Sequence, residues 1–368
     1  MQDQKGGAKM PVSRREQILA TIVEQYIETG EPVGSKAVMS RLDINVSSAT
    51  IRNDMAALTK LGYICQPHTS AGRVPTQTGY RYYVDNLMKV AELGEGDRRR
   101  IEAGVDERSG DPDALIAKAG AALTGLTNYA SLATTPTDEN AVIKNIEMVP
   151  VAPKIAMIVL MTSTGILKSK ACRTSVQITG DIKDTFDSMV QECFVGHPVA
   201  EIGTVMIQTL AASLGAKALS MSPLLAAIAD LAEEAGQSEV RMEGKSNLLG
   251  YKEYEEELPQ LLKFLNQDEP LSMLVSSNDS ADNETGIEVR IGSENRFKEL
   301  ANSTTIISRY KIGNRATGAI GIIGPTRMDY SKLIPSIKYL SDIVSKILSE
   351  AYEEDLLPHD HREDKSDD

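Results

Sequence analysis

The sequence predicts an α+β protein with a winged helix-turn-helix at its N-terminal end. Two observations point to the winged helix: a short helix, a turn and a longer helix lie between residues 33 and 61, and a polar hairpin follows them. A third observation sets the fold class of the remainder, where groups of strand-like segments lie on both sides of a helical block.

The first helices are marked by their ends. Ser13 and Glu16 form a capping-box pattern ahead of an apolar helical stripe, and Gly30 ends that helix. Ser35 is in position to cap a short second helix that ends near Leu42. The spacing thus predicts two helices before the turn at residues 43–46.

The third helix has one apolar and one polar face. Ile51, Met55 and Leu58 recur at i, i+4 and i+7, so this stripe faces inward. The opposite stripe is slim and polar, as a helix that enters a major groove requires, because Asn and Arg there can read adenine and guanine edges. It consists of Ala49, Asn53, Ala56 and Lys60, and Thr50 and Arg52 flank it. An ordinary amphipathic helix with a solvated face is the alternative, and the flanking helix and hairpin favour the winged helix.

The hairpin is interpreted as the wing. Residues 63–66 start a strand, 67–72 form a tight polar tip, and the chain returns at Arg73. The helix expected over 79–90 carries Tyr80 and Tyr83 at helical spacing, and these rings are assigned to the core rather than to base stacking. The candidate DNA-binding residues are the polar and basic side chains of the two helices and the wing: Ser35, Lys36, Ser47, Ser48, Thr50, Arg52, Asn53, Lys60, His68, Thr69, Ser70 and Arg73.

Charge is distributed unevenly along the 368 residues. Residues 1–90 hold 11 Lys and Arg against 8 Asp and Glu, a net charge of +3, so the remainder carries −16 of the total of −13. This balance argues against a general nucleic-acid coat and confines a DNA contact to the N-terminal region. Three cysteines without a CxxC pair and an N-terminus without an apolar segment predict a cytoplasmic protein with no membrane span.

The rest of the chain is read from its periodicity. The charged stretch at 91–110 is interpreted as a solvated linker or as the start of a helix. Residues 142–172 are predicted to form an antiparallel meander of three strands. Helical spacing returns over 181–267 and again near the C-terminus from Leu333 to Ile347. Residues 351–368 are expected to form an acidic, disordered tail. Further strands are expected at 272–276, 287–291, 304–311 and 317–324.

Enzyme chemistry has little support in the sequence. The four histidines form no cluster with metal-ligand spacing, and nucleophile, Walker and dinucleotide motifs are absent, so we expect no enzyme, no metal and no cofactor. The glycine-rich segment from Gly318 to Gly324 alternates small and apolar residues, which is typical of a packed strand and not of a phosphate-binding loop. Arg327, in the junction before the last helix, could hold an anion, but a junction that caps that helix is favoured.

Several motifs together resemble one family. They are SSATIRNDM at 47–55, PHTSAGRVPT at 67–76, GYRYYVD at 79–85, KSNLLG at 245–250 and GIIGPTRMDY at 321–330. These motifs are similar to those of the heat-inducible transcription repressors called HrcA. They lie towards both ends, so the resemblance covers nearly the whole chain. The longer N-terminal lead and the acidic tail depart from a typical member.

The resemblance implies a homodimeric repressor of chaperone operons. It would bind double-stranded DNA at a CIRCE-type inverted repeat, and the GroEL-type chaperonin would maintain its activity. The implied domains are a winged helix at 1–90, a linker at 91–110, a GAF-like antiparallel-sheet domain at 111–180 and 268–350, and an inserted, mostly helical dimerisation domain at 181–267. Strands near 142–172 would then pair with strands near 272–324, and such non-local pairing slows folding.

Two alternatives remain open at this point. The first is a metabolite-responsive winged-helix regulator that uses the GAF-like domain as its sensor. The second is a protein scaffold whose winged helix docks on another protein. The outward Asn53, Lys60 and Arg73 argue against a scaffold, because a docking face would be more apolar.

Overall fold

A computed structural model of the chain describes residues 13–42, 46–68, 71–105, 112–136, 141–276, 286–312 and 316–353. These residues combine helices with three antiparallel sheets of two, five and three strands. The predicted α+β class is confirmed. No helix in the described ranges is long and apolar enough to cross a membrane.

The N-terminal region contains the predicted helix-turn-helix. Ser13 and Glu16 form the expected capping box, and Gly30 ends the first helix at a φ of 70°, which glycine adopts without steric cost. Ser35 is not a cap, because the second helix begins at Ser35 itself and has Gly34 as its N-cap. The three helices are α1 (Arg14–Thr29), α2 (Ser35–Arg41) and α3 (Ser48–Lys60).

The predicted wing is present as a short antiparallel hairpin of β1 (Ile64–Cys65) and β2 (Val74–Pro75). Val33 extends it, because its backbone N–H and C=O both bond to the backbone of Arg73 at 2.9 Å. Gly72 permits this approach, since a Cβ there would lie 2.5 Å from the carbonyl group of Val33. Thr69 and Ser70 lie outside the described residues.

α4 (Gln77–Tyr82) follows the wing and continues as a π-helical turn over Tyr83–Leu87. Tyr80 and Tyr83 are buried, which confirms their assignment to the core. We call residues 13–87 the head. The stretch predicted as a linker or helix start contains α5 (Glu95–Gly104), whose Ile101 is buried against the rest of the protein.

A five-stranded antiparallel sheet forms the centre of the molecule. Its strands, in order across the sheet, are β7 (Val240–Glu243), β3 (Ala130–Thr134), β10 (Ala316–Pro325), β9 (Ser303–Ile312) and β8 (Ile287–Ile291). The helices that belong with it are α6 (Pro112–Thr127), α10 (Leu258–Phe264), α11 (Asp268–Ser276) and α12 (Tyr330–Glu353). Neighbouring residues of a strand point to opposite faces, so Ile306 packs with α5, α6 and α12, whereas Ile307 packs with α10 and α11. We call this sheet and its helices the central unit.

A second unit lies in the chain between β3 and β7, which pair directly with each other. Its three strands form a separate sheet in the order β4-β5-β6, and helices cover one face of that sheet. Phe186 and Phe194 are fully buried in the shared core. We call it the inserted unit. It consists of β4 (Ile143–Ala152), β5 (Ile155–Thr162), β6 (Leu167–Arg173), α7 (Gly180–Cys193), α8 (Thr204–Ser213) and α9 (Ala218–Gly236).

The structure corrects several predicted boundaries. The meander at 142–172 shares its core with α7–α9. In the described residues it pairs with no strand of the central sheet. The predicted division into one domain at 111–180 and another at 181–267 is therefore wrong. The segment predicted as a strand at 272–276 belongs to a helix, α11. Helix α12 continues to Glu353 and thus includes the start of the predicted tail; residues 354–368 lie outside the described residues.

Candidate DNA-binding surface

The recognition helix α3 presents the faces that its periodicity predicts. Ile51, Met55 and Leu58 are buried against the core of the head. Ser47 caps the helix, since its hydroxyl oxygen accepts the Thr50 backbone N–H at 3.2 Å. The opposite side is exposed along its length, at Ala49, Arg52, Asn53, Ala56 and Lys60.

Helix α2 meets α3 through a small polar cluster. The hydroxyls of Ser35 and Ser48 lie 3.3 Å apart, and the Arg52 Nε donates to the Ser35 hydroxyl at 3.3 Å. Three of the predicted site residues are therefore in contact with one another. Lys36, the next residue of α2, is exposed. The cluster turns Arg52 towards the N-terminus of α2, at the edge of the exposed face.

The wing lies at the C-terminal half of α3. His68 is exposed near its tip. Arg73, expected to face outward, is instead half-buried, and its Nε donates to the Thr59 hydroxyl of α3 at 3.3 Å. That bond holds the wing against the recognition helix, so Arg73 has a structural role that the sequence does not reveal.

A buried carboxylate on α3 is the main feature that the sequence reasoning missed. Asp54 is 3% exposed and accepts bonds from the Arg14 Nε at 2.7 Å and the Arg15 Nε at 3.1 Å. The hydrogen bond from Arg14 lowers the pKa of Asp54 against the opposing effect of desolvation, and the bond from Arg15 adds to it. An acidic residue within the inward stripe of Ile51 and Leu58 is the signal that could have indicated a buried ion pair.

Comparison with known proteins identifies both parts of the chain. Residues 11–87 match the family model described as the winged helix-turn-helix transcription repressor, HrcA DNA-binding, and residues 113–334 match the model of the HrcA protein C-terminal domain. The chain belongs to the HrcA family. It is accordingly a heat-inducible transcription repressor, a class of non-enzymatic regulators that bind DNA through the winged helix.

Relatives named heat-inducible transcription repressor HrcA are similar over almost their whole length. The protein of Acetivibrio thermocellus is 34% identical over 93% of this chain and 98% of its own. That of Thermoanaerobacter pseudethanolicus is 34% identical over 94% of this chain and 100% of its own. A crystal structure of a hypothetical protein at 2.2 Å resolution has 27% identity and a TM-score of 0.68, and the match covers 93% of this chain and 100% of that one.

In this HrcA-family chain, the head is fixed to the central unit by two arginines. Arg81 of α4 pairs with Glu294, its Nε lying 2.9 Å from a carboxylate oxygen. Arg327 pairs with Glu253 at 2.8 Å, and its Nη1 donates to the carbonyl oxygen of Ile27 at 3.2 Å. Arg327 therefore bonds to the last turn of α1 and to Glu253, while Asp329 of the same junction accepts the backbone N–H groups of Lys332 and Leu333 at the start of the final helix, as the favoured interpretation of the junction expects.

The same junction contains close packing between backbone and side chains. Gln77 of α4 fills the space beside Gly292, where a Cβ would overlap its amide nitrogen at 1.2 Å, and its side-chain oxygen accepts a bond from the Ser293 hydroxyl at 2.8 Å. Tyr80 packs against Tyr330, with ring centroids 6.1 Å apart. These contacts make the orientation of the recognition helix a property of the whole molecule, not of the head alone.

Proposed function

We propose that the chain binds a CIRCE-type inverted-repeat operator as a homodimer and thereby represses chaperone operons. The exposed face of α3 carries the proposal, because Arg52, Asn53 and Lys60 flank two alanines on a helix of a winged-helix head. One such helix covers one half-site. Two copies related by a two-fold axis therefore require a two-fold symmetric DNA sequence.

The inserted unit supports the dimer. Its helices cover one face of the β4-β5-β6 sheet, while alternate residues of the other face are apolar and exposed. Contiguous exposed apolar residues of this kind are typical of protein–protein interfaces. A second copy is the occupant we propose, in agreement with the dimerisation role that the family resemblance implies for an insertion. The large exposed apolar residues of this face are Val149, Val151, Ile155, Met157, Met161 and Leu167.

A titration of two labelled duplexes tests this function. One duplex carries the complete inverted repeat and the other carries a single half-site within the same length of DNA. We expect the complete repeat to bind more tightly, with two chains in each complex, since both recognition helices then contribute. Equal affinities, or one chain in each complex, would contradict the dimeric operator model.

We also propose that a GroEL-type chaperonin maintains the active state. The non-local strand pairing that supports a need for chaperonin is not the one expected from the sequence. The strands of the meander at 142–172 pair only with each other among the described residues. The non-local pairing lies in the central sheet, where Ala133 of β3 pairs with Ile320 of β10 across the entire inserted unit. Slow formation of such a sheet leaves apolar strands exposed during folding. When heat-unfolded proteins occupy the chaperonin, less repressor folds and operators empty.

Regulation by a metabolite remains a second candidate because of one cleft. It has a volume of about 550 Å³ and lies between α1, the π-helical turn and the start of α12. Its size suits a small ligand, and its charged lining includes Glu24, Glu28, Lys89, Asp329 and Lys332. The small-molecule fraction of a cell extract, added to the purified repressor on its operator, would release the DNA if this cleft controlled binding. If the affinity for the operator does not change, none of the compounds in that fraction regulates DNA binding through this cleft.

A further inference from the structure

The recognition helix is bordered by polar side chains along both of its edges. At 100° per residue, Asp54 lies about 130° around the helix from the centre of the exposed face, next to the buried stripe, so that on this flank only its exposed partners reach the edge of the face; Thr59 lies about 90° away in the other direction. Thr59 accepts the bond from Arg73, and Arg52 on the same side reaches Ser35. That edge already contains candidate contacts from α2 and the wing.

The opposite edge is formed by the first turn of α1. Arg14 and Arg15 reach Asp54 there through their Nε atoms, and the Arg14 and Arg15 side chains are 48% and 56% exposed. Two guanidinium groups share a single carboxylate, so these three groups keep a net charge of +1, and the nearby Glu16 carboxylate is bonded elsewhere, to the Ser13 backbone N–H and the Tyr82 hydroxyl. Each guanidinium has five N–H donors in a fixed fork, and the edge formed by its two Nη atoms can bind a phosphate with two parallel bonds.

The position of these arginines is unusual for a helix. Cations in a first turn are disfavoured by the helix dipole, which prefers acidic side chains at that end. A bond to Asp54 offsets this effect and fixes two long side chains that would otherwise sample many rotamers.

We propose that Arg14 and Arg15 bind DNA backbone phosphate beside the recognition helix, and that Asp54 is the residue that positions them. The proposal rests on the proposed DNA-binding function and deepens it. With Arg52, Ser35 and the wing on the other edge, the head contacts the backbone on both sides of the major groove that α3 enters. The contact positions the helix and carries no base preference of its own.

The test compares Arg14→Gln/Arg15→Gln with Arg41→Gln in the full-length protein. Arg41 is a matched control: it is 42% exposed and pairs with a single carboxylate, that of Glu28, at the other end of α1. Glu28 lies about 21 Å from Arg14 along the helix axis. Binding of each variant is measured on the operator and on a random duplex between about 50 and about 200 mM salt.

We expect the double variant to reduce the slope of log K against log salt by about two on both duplexes, because two phosphate contacts are lost. Arg41→Gln keeps the wild-type slope. Arg14→Lys/Arg15→Lys restores it, since the slope counts charge. A wild-type slope for the double variant would overturn the proposal. Thermal melting of each variant shows whether it is folded under the conditions of the binding assay. If the double variant is unfolded, the single variants replace it, and each is expected to lose about one unit of slope.

Asp54→Asn tests the positioning role separately. Removal of a negative charge near DNA would by itself tighten binding, whereas loss of positioning weakens it. We expect weaker binding of the operator and of the random duplex. Affinity equal to or above that of the wild type would overturn the positioning role. If the wild-type protein does not prefer its operator to the random duplex, the proposed function fails, yet the slope on the random duplex still reports on Arg14 and Arg15.

Discussion

Asn53 and Lys60 share the exposed face of α3 but can make different contacts with DNA. Asn53 can bond in a bidentate manner to an adenine edge, whereas Lys60 offers a point charge to phosphate. We expect Asn53→Ala to lose about 1–3 kcal/mol of binding and to relax the base preference at one position. Lys60→Ala weakens all duplexes alike and reduces the salt slope by about one.

Affinities for the operator and for its single-base variants measure both effects. Asn86→Ala is a suitable control, because this exposed asparagine of the head bonds only locally, to the carbonyl oxygen of Tyr82 at 3.2 Å. Wild-type affinity and selectivity in Asn53→Ala would show that the face of α3 has been assigned incorrectly.

The lowered pKa of Asp54 links the stability of the head to pH. Its contribution is complete above the ordinary Asp pKa of about 3.9 and is lost as the pH falls through the lower folded-state value. Asp54→Asn should reduce the free energy of unfolding by about 1–3 kcal/mol at neutral pH. Thermal melts should show that difference unchanged down to about pH 5 and shrinking below about pH 4.

Glu28→Gln is the matched control for that experiment. Glu28 also pairs with an arginine, but its side chain is 55% exposed, and exposed pairs contribute at most about 1 kcal/mol. A difference between wild type and Asp54→Asn that stays constant through acid pH would show that the carboxylate charge does not stabilise the head.

Among the elements, the β4-β5-β6 sheet is the one for which we expect a role in the dimer contact, through its face that no helix covers. Leu167 of β6 is 59% exposed beside Met161 of β5, with which it is paired in register. Leu167→Lys places a charge in the proposed dimer contact, so we expect analytical ultracentrifugation to detect a shift towards monomer. Val90→Lys, at an apolar residue that is 60% exposed just after the head, should leave the dimer intact. If the Leu167→Lys variant is still a dimer, the dimer interface lies on another surface.

Elements with a strong period could be predicted from the sequence, and those without it could not. The faces of α3 and the long stripe of α12 follow from residue spacing alone. The apolar run in 272–276 fits a strand or a buried helix equally, and tertiary packing selects the helix α11. Helix α6 owes much of its apolar character to alanine, and β3 is buried on both faces, so neither has a clear alternating signal.

Pairing between distant residues also lies beyond the sequence pattern. Alternation identifies β4, β5 and β6 as strands but does not indicate that they form a sheet of their own. The exposed stripe of the DNA-binding surface is predictable because it repeats along one helix. The bond of Asp54 to Arg14 is not, since the two residues lie 40 positions apart and meet only when α1 packs against α3.

At the scale of the molecule, the head and the central unit share one apolar core. The paired arginines Arg81 and Arg327 cross the same junction. Incomplete folding of the central sheet would therefore disturb the recognition helix even if the head kept its secondary structure. We therefore expect folding yield to have a direct effect on DNA binding.

Refolding of the denatured full-length protein tests that coupling. We expect chaperonin with ATP to raise the fraction that binds operator, because the β3–β10 pairing forms slowly and exposes apolar strands meanwhile. Chaperonin without ATP serves as the control for simple capture. Complete spontaneous refolding that chaperonin does not improve would contradict control by folding yield.

We expect the exposed face of α3 to recognise a specific operator. The most direct measurement is the ratio of affinities for the inverted repeat and for a scrambled duplex of equal length and composition, at one physiological salt concentration. We expect the wild-type protein to prefer the inverted repeat by a factor of about 10³ or more. A ratio near one, with both duplexes bound equally, would contradict this expectation.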